Sequence, residues 1–327
     1  MTVSTTAFAS GVRELEFVRS VDRRLLHRRA LSEVFLTDTA AVDGQRFLAG
    51  AQLPSSHAYF TDHIGHTAVD PVLLLECARQ AETYGAHRHL GVDEDTKFVL
   101  QSWSMSLPGL FIAHTGDPAE LVMEVTTDRP ADATTPARSV TYGIRFLIAG
   151  QDVGEVRMAV GYLSSATYSF IRTKRRGSPP VSSDDVPAAP ATVAARDVGR
   201  SAPVNALLID PVQDGDGITA GIRTANDNPS MFDHAQDHLP GMVLTEAARQ
   251  AALLAGQRLL GRPAAETALT GFDLDFARFA ELDAPTTVGA FPTDGQSFRV
   301  VFRQHDEEIA SGTVHTAAVP ASHRRPR

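Results

Sequence analysis

Along the 327 residues the apolar positions fall twice into one succession: a short alternating stretch, a polar loop, a long helical segment, and several more alternating stretches. The first helix is expected from about Pro71 to His89, because Val72, Leu73, Leu74, Leu75, Cys77, Ala78, Ala81, Tyr84 and Ala86 lie almost all round it, the mark of a helix buried on most sides. Its polar residues are confined to one stripe. Glu76, Arg79, Gln80, Thr83 and His87 follow the i, i+3, i+4, i+7, i+11 spacing of a single face. Glu246, Arg249, Gln250 and Gln257 repeat that stripe in the second half, with Leu253 interrupting it. Downstream of each helix, "RFLIAGQDVGEVRMAVGYLS" and "FRVVFRQHDEEIASGTVHTAAV" alternate as strands do and carry turn residues at their centres.

The repetition extends to the residues themselves, so the chain reads as an internal duplication. "ECARQA" at 76–81 and "EAARQA" at 246–251 differ at one position, and Leu90-Gly91 falls on Leu260-Gly261 at the same offset of 170. A Phe and an Asp-His pair precede each helix, "FTDH" ending at His63 and "FDH" ending at His234, and "HRRALSEVFLTD" lies opposite "GRSAPVNALLID". Between the halves, "RRGSPPVSSDDVPAAPATVAA" is rich in Pro, Ser and Ala without an apolar period and reads as a linker. The expected organisation is a unit over 1–172, a linker over 173–196 and a second unit over 197–327. A long central helix wrapped by an antiparallel sheet, occurring twice in tandem, is an α+β fold of the double hotdog type.

Composition narrows the classes of function. The length suffices for two domains of about 150 residues. A net charge of −9 argues against a general nucleic-acid or membrane-surface binder. The start of the chain has no charged-then-apolar leader pattern, and no apolar run is long enough to span a bilayer. A soluble, cytoplasmic protein with neither nucleic acid nor membrane as partner is expected. The lone Cys77 excludes an intramolecular disulfide and reads as a small core residue. The basic runs "RTKRRG" and "HRRPR" read as a solvated linker and a solvated end.

The second loop and helix resemble the hotdog acyl-carrier-protein dehydratases: a Phe before a loop His, Pro240-Gly241 opening the helix, and Glu246 five residues later. The stretch from His to Pro-Gly is two residues shorter than theirs. The whole chain is more closely similar to the A-factor biosynthesis hotdog family, the γ-butyrolactone autoregulator synthases of filamentous bacteria. "HRRALSEVFLTD", "SHAYFTDH", "DPVLLLECARQA", "NPSMFDHAQDHLPGMVLTEAARQA" and the duplication carry this resemblance, over residues 20–318 without the linker. It implies an acyltransferase that condenses a β-ketoacyl-acyl carrier protein thioester with the hydroxyl of dihydroxyacetone phosphate, giving the precursor of a γ-butyrolactone, butenolide or furan signalling molecule. The implied partners are the acyl carrier protein and dihydroxyacetone phosphate, and no cofactor is implied. One departure is Ser55 in "LPSSH", where the family is expected to have a basic residue. Competing readings are a dehydratase or thioesterase, separated by phosphate dependence, and a non-catalytic acyl-ligand binding protein, against which the retention of both Glu-Arg pairs argues.

Ester formation from a thioester needs a base for the hydroxyl, donors for the oxyanion and a cradle for the phosphate. Burial favours a protonated carboxyl, whereas an Arg one turn away favours the carboxylate, so Glu76 with Arg79 and Glu246 with Arg249 are candidate bases, with the arginines, Gln80 and Gln250 facing substrate. A buried cation there suits a phosphorylated acceptor better than a neutral 3-hydroxyacyl chain. Against this, each Glu-x-x-Arg pair is also the spacing of a plain helical salt bridge, and His63 and His234 could cap the helices they precede. His66, Asp233, Asp237 and His238 offer metal-type donors, but loops of this kind also serve as caps and no metal is expected. Gly241 opens the second helix with a backbone N–H suited to an oxyanion, where the first half has Pro71 and no N–H. The composite sites of hotdog dehydratases imply His234 and Gly241 with Glu76 and Arg79, and His63 with Glu246 and Arg249. On the oxyanion argument Glu76 is the more damaging loss of the two carboxylates.

Overall fold

The computed structural model describes residues 13–112, 119–133 and 135–325. The chain forms two compact units: Met1–Ser56 with Val69–Phe170, and His57–Ala68 with Ile171–Arg327. Unit 1 contains β1 (Leu36–Ala41), β2 (Arg46–Leu53), α1 (Pro71–Arg88), β3 (Lys97–Ser106), β4 (Ala119–Thr127), β5 (Ser139–Ile148) and β6 (Gln151–Leu163). Its strands run in the order β1-β2-β4-β5-β6-β3 with antiparallel neighbours. After α2 (Ser165–Arg176), unit 2 contains β7 (Leu208–Asp214), β8 (Gly217–Ile222), α3 (Gly241–Leu260), β9 (Thr267–Phe276), β10 (Thr286–Pro292), β11 (Ser297–Gln304) and β12 (Glu307–Ala318). Its order is β7-β8-β10-β11-β12-β9, the topology of unit 1 repeated strand for strand.

Local chemistry sets the helix ends. Pro71 occupies the first turn of α1, where its missing N–H costs nothing, and the Asp70 carboxylate accepts from Val72 N at 2.9 Å. α3 begins after Pro240 with no side-chain cap and ends at Gly261, whose φ of 64° is left-handed. α3 is lined with Ala247, Ala248, Ala251, Ala252 and Ala255, all buried, and these small side chains let the strands close around it. In unit 1 the same closeness falls at Gly85, where a Cβ would stand 2.4 Å from the ring of Phe47 on β2. The tight β5–β6 and β11–β12 turns place Ala149-Gly150 and His305-Asp306 at positive φ, as two-residue hairpins require.

The segment His57–Ala68 lies within the first half of the sequence yet packs into unit 2. Arg200 Nη1 donates to Tyr59 O at 2.8 Å, Asn205 Nδ2 to the Asp62 carboxylate at 2.7 Å, and Ile64 N to Gly199 O at 3.0 Å. Thr67 N donates to His323 O at 2.8 Å and Arg325 N to Gly65 O at 2.9 Å. Gly65, at φ +85°, has the backbone of Ala265 so close that a Cβ would meet its carbonyl oxygen at 1.9 Å.

The basic runs differ from the solvated segments expected. Residues up to Arg176 are helical, and the buried Arg172 donates to Glu281 at 2.8 Å and to Asp237 O at 2.9 Å. Arg176 reaches Glu281 at 2.6 Å and Asp283 at 2.7 Å, while Arg324 pairs with Glu266 at 2.7 Å. A guanidinium leaves water only with such partners, and these lie too far along the chain for local pattern to show them. Arg327 of the C-terminal run lies outside the described residues. Among the described residues no helix is long and apolar enough to cross a membrane.

Candidate functional site

In unit 1 the polar stripe of α1 folds into a closed network. Glu76, 1% exposed, accepts from Arg28 Nη2 at 2.5 Å, Arg79 Nε at 2.8 Å and Gln80 Nε2 at 2.7 Å. Burial pushes its carboxyl up, but the Arg28 and Arg79 charges and the bonds from Arg79 and Gln80 outweigh that and hold it at about 2. Glu76 is thus a standing anion. Gln80 spends both N–H groups, on Glu76 and on Glu33 O at 2.7 Å, and its oxygen accepts from Phe35 N and Leu36 N at 2.9 and 3.2 Å. It ties α1 to the start of β1 with its hydrogen-bonding capacity fully used.

Unit 2 repeats this network with the corresponding residues, though the arginine atoms used differ. Glu246, fully buried, accepts from Arg200 Nε and Nη2 at 3.0 Å each, from Gln250 Nε2 at 2.6 Å and from Arg249. Gln250 also donates to Asn205 O at 2.8 Å and accepts from Leu207 N at 2.8 Å. Arg28 and Arg200 were not singled out in the sequence, although both stand in the paired segments "HRRALSEVFLTD" and "GRSAPVNALLID" at the same place. Alignment of a basic residue in both copies, a few residues ahead of the segment Gln anchors, is the signal that could have found them.

The loop histidines are held differently. His63 forms an isolated β-bridge with Arg200, which places its loop beside the Arg200–Glu246 pair, and its ring stacks on His66 at 4.1 Å between centroids. His234 faces Asp233 through Nδ1 at 3.3 Å and Gln236 Nε2 through its own Nε2 at 2.8 Å, so both ring nitrogens are engaged. His238 meets Asp237 at 2.5 Å. Among the described residues no group of three or more His, Cys, Asp or Glu is arranged to hold a metal ion. In the first half, the N–H of Val72 that could replace the one Pro71 lacks is occupied by Asp70. Gly241 is the first residue of α3, five residues before Glu246 on the same helix.

One polar cluster of unit 1 has no counterpart among the described residues of unit 2. Glu82 Oε1 accepts from Tyr162 Oη at 2.9 Å, Tyr162 and Tyr142 share a 2.7 Å hydroxyl contact, and Thr83 Oγ1 donates to Glu82 Oε2 at 3.0 Å. Burial pushes Glu82 up to about 7, against the pull of Tyr162, Thr83 and the Arg79 charge. The position 170 residues on is Ala252. Burial, helped by the Glu76 charge, raises the Cys77 thiol well above its ordinary value, so it is a core thiol and no nucleophile.

The family model described as the A-factor biosynthesis hotdog domain matches residues 10–163 and 181–320. The chain is 30% identical over 302 residues to a 2-oxo-3-(phosphooxy)propyl 3-oxoalkanoate synthase of Streptomyces virginiae, covering 91% of this chain and 97% of that protein. A Streptomyces griseus synthase of the same name is 28% identical over 307 residues, with 91% and 96% covered. Among solved structures, a Lactobacillus plantarum protein assigned as an oleoyl thioesterase superposes with a TM-score of 0.50 at 11% identity, covering 85% of this chain and 96% of that one. At that identity the likeness concerns the fold alone: two hotdog units in one chain.

Proposed function

The chain belongs to the A-factor biosynthesis hotdog family, and from that membership we propose that it transfers a β-ketoacyl group from an acyl carrier protein thioester to the hydroxyl of dihydroxyacetone phosphate. The observation that carries this is the likeness, over nine-tenths of the chain, to synthases whose name describes a 3-oxoalkanoate ester of a phosphorylated hydroxyketone. The product is a phosphorylated β-keto ester, the kind of compound from which a butenolide or γ-butyrolactone signal is made.

The reacting centre in this proposal is the unit 2 cluster of His63, Arg200, Glu246 and Arg249. Glu246 accepts from two guanidiniums and an amide, so it serves as the fixed anion that orients Arg249 toward the acceptor phosphate. Gln80 and Gln250, with their capacity used internally, position the clamps. The imidazole of His63 is the general base in this proposal, histidine being the side chain most often used for proton transfer near neutral pH. It takes the hydroxyl proton as the oxygen attacks the thioester carbon. Gly241 N–H, about 7.5 Å along α3 from Glu246, is the donor assigned to the oxyanion. Collapse of the tetrahedral species breaks the C–S bond, and the departing thiolate takes the proton back from His63.

Mass spectrometry of the protein with a β-ketoacyl carrier protein and dihydroxyacetone phosphate tests this. Appearance of the phosphorylated ester with release of the carrier thiol is expected. Hydrolysis or dehydration of the acyl thioester, indifferent to phosphate, would contradict it.

A further inference from the structure

Of the two corresponding arginines ahead of the first strand of each unit, Arg200 has its donors filled and Arg28 does not. In unit 2, Arg200 uses Nε and Nη2 on Glu246 and Nη1 on Tyr59 O. In unit 1 the corresponding Arg28 reaches Glu76 through Nη2, while its Nε is buried with no hydrogen-bond partner among the described residues. The Arg28 side chain is only 10% exposed. A buried guanidinium N–H without an acceptor destabilises a fold unless something occupies it, and the repeat shows that the same fold can be built with this donor satisfied. The second arginine differs in the same sense. Arg79 keeps 26% of its side chain exposed where Arg249 keeps 8%, so the unit 1 clamp opens to solvent.

The charges agree with an anion as occupant. Arg28 and Arg79 carry two positive charges around the carboxylate of Glu76, which stays ionised between them. Two guanidiniums held in place by a fixed carboxylate make a rigid fork for a tetrahedral oxyanion, whose several oxygens match their planar donors. We propose that the Arg28–Arg79 clamp of unit 1 is a second anion-binding site that takes a phosphate group. It goes beyond the acyl-transfer proposal, in which the acceptor phosphate lies at Arg249. A second phosphate reaches such an enzyme either as the phosphodiester of a carrier's pantetheine arm or as a further monoester, the acceptor or the ester product.

Calorimetric titration of the full chain with inorganic phosphate tests the site. Wild type binds two equivalents, Arg249→Met keeps one, and Arg28→Met keeps the other. Arg28→Lys, which retains the charge but has no Nε fork, weakens the unit 1 equivalent at least about tenfold. Loss of all phosphate binding in Arg249→Met overturns the proposal, and that arm does not depend on how Arg28→Met folds. Displacement of the equivalent left in Arg249→Met by dihydroxyacetone phosphate identifies a monoester ligand, and displacement by the pantetheine-bearing carrier protein but not by dihydroxyacetone phosphate identifies the carrier arm. If neither displaces it, the site binds adventitious anions and the proposal fails. Two bound equivalents without ester formation would leave the site standing while the acyl-transfer proposal falls.

Discussion

Two buried glutamates, six residues apart on α1, hold their protons oppositely, and the difference decides how unit 1 responds to pH. Glu76 lies at about 2 and Glu82 at about 7, against an ordinary carboxyl value of 4.5. A folded-state value raised above the unfolded one means that the native state holds more protons in between, so stability falls as pH rises from 4.5 through 7. That loss is on the order of 3 kcal/mol. For Glu76 the sign is opposite, and its contribution is present above 4.5 and lost as pH falls toward 2. Glu82→Gln should therefore unfold in urea with little change in stability between pH 5 and 7.5, where wild type loses stability. Parallel pH profiles for the two would count against the burial argument. The polar stripe of α1 was legible in the sequence, since Glu76, Arg79 and Gln80 share one face. Their saturation was not, because Arg28 approaches from 48 residues upstream in the chain. The same holds for Glu82, whose tyrosine partners stand on β5 and β6.

At the scale of elements, α1, α3 and the late strand pairs follow from apolar period and turn chemistry, and α1 ends within a residue of the expected limit, whereas α2 runs into the expected linker. The segment His57–Ala68 does not follow in that way. Its sequence reads as the lead-in to α1, but two similar units offer it two similar partners, and only packing chooses between them. Gly65 marks the choice, because its left-handed backbone runs against Ala265, where any side chain would overlap a main-chain carbonyl. Gly65→Ala is expected to cost roughly 2–4 kcal/mol from combined strain and overlap. It should also lower the rate of ester formation by loosening the His63 loop. Chemical denaturation and turnover together check this, and a variant as stable and active as wild type would show that the loop does not need this approach. The arginines of the 172–176 run show the same limit of local pattern. A basic stretch after a strand looks solvated until Glu281, more than a hundred residues later, is placed against Arg172.

For the molecule as a whole, the duplication is legible at every level, from "ECARQA" and "EAARQA" to the matching strand orders, yet the units do not divide where the sequence repeats. Unit 2 needs His57–Ala68, so residues 171–327 expressed alone would leave Arg200 Nη1 and the Asn205 amide without Tyr59 O and Asp62. Insoluble or molten material is expected, and a soluble fragment with a cooperative thermal transition would contradict that. The same exchange brings His63 to the Glu246 clamp, whereas His234 has both ring nitrogens engaged by Asp233 and Gln236. Single-turnover acyl transfer to dihydroxyacetone phosphate, compared for His63→Asn and His234→Asn with circular dichroism to confirm the fold, tests this most directly. Loss of a general base should slow His63→Asn by roughly 10²–10⁴, while His234→Asn stays within about tenfold of wild type. A His63→Asn enzyme at the wild-type rate, or the large loss falling on His234→Asn, would contradict a reacting centre in unit 2.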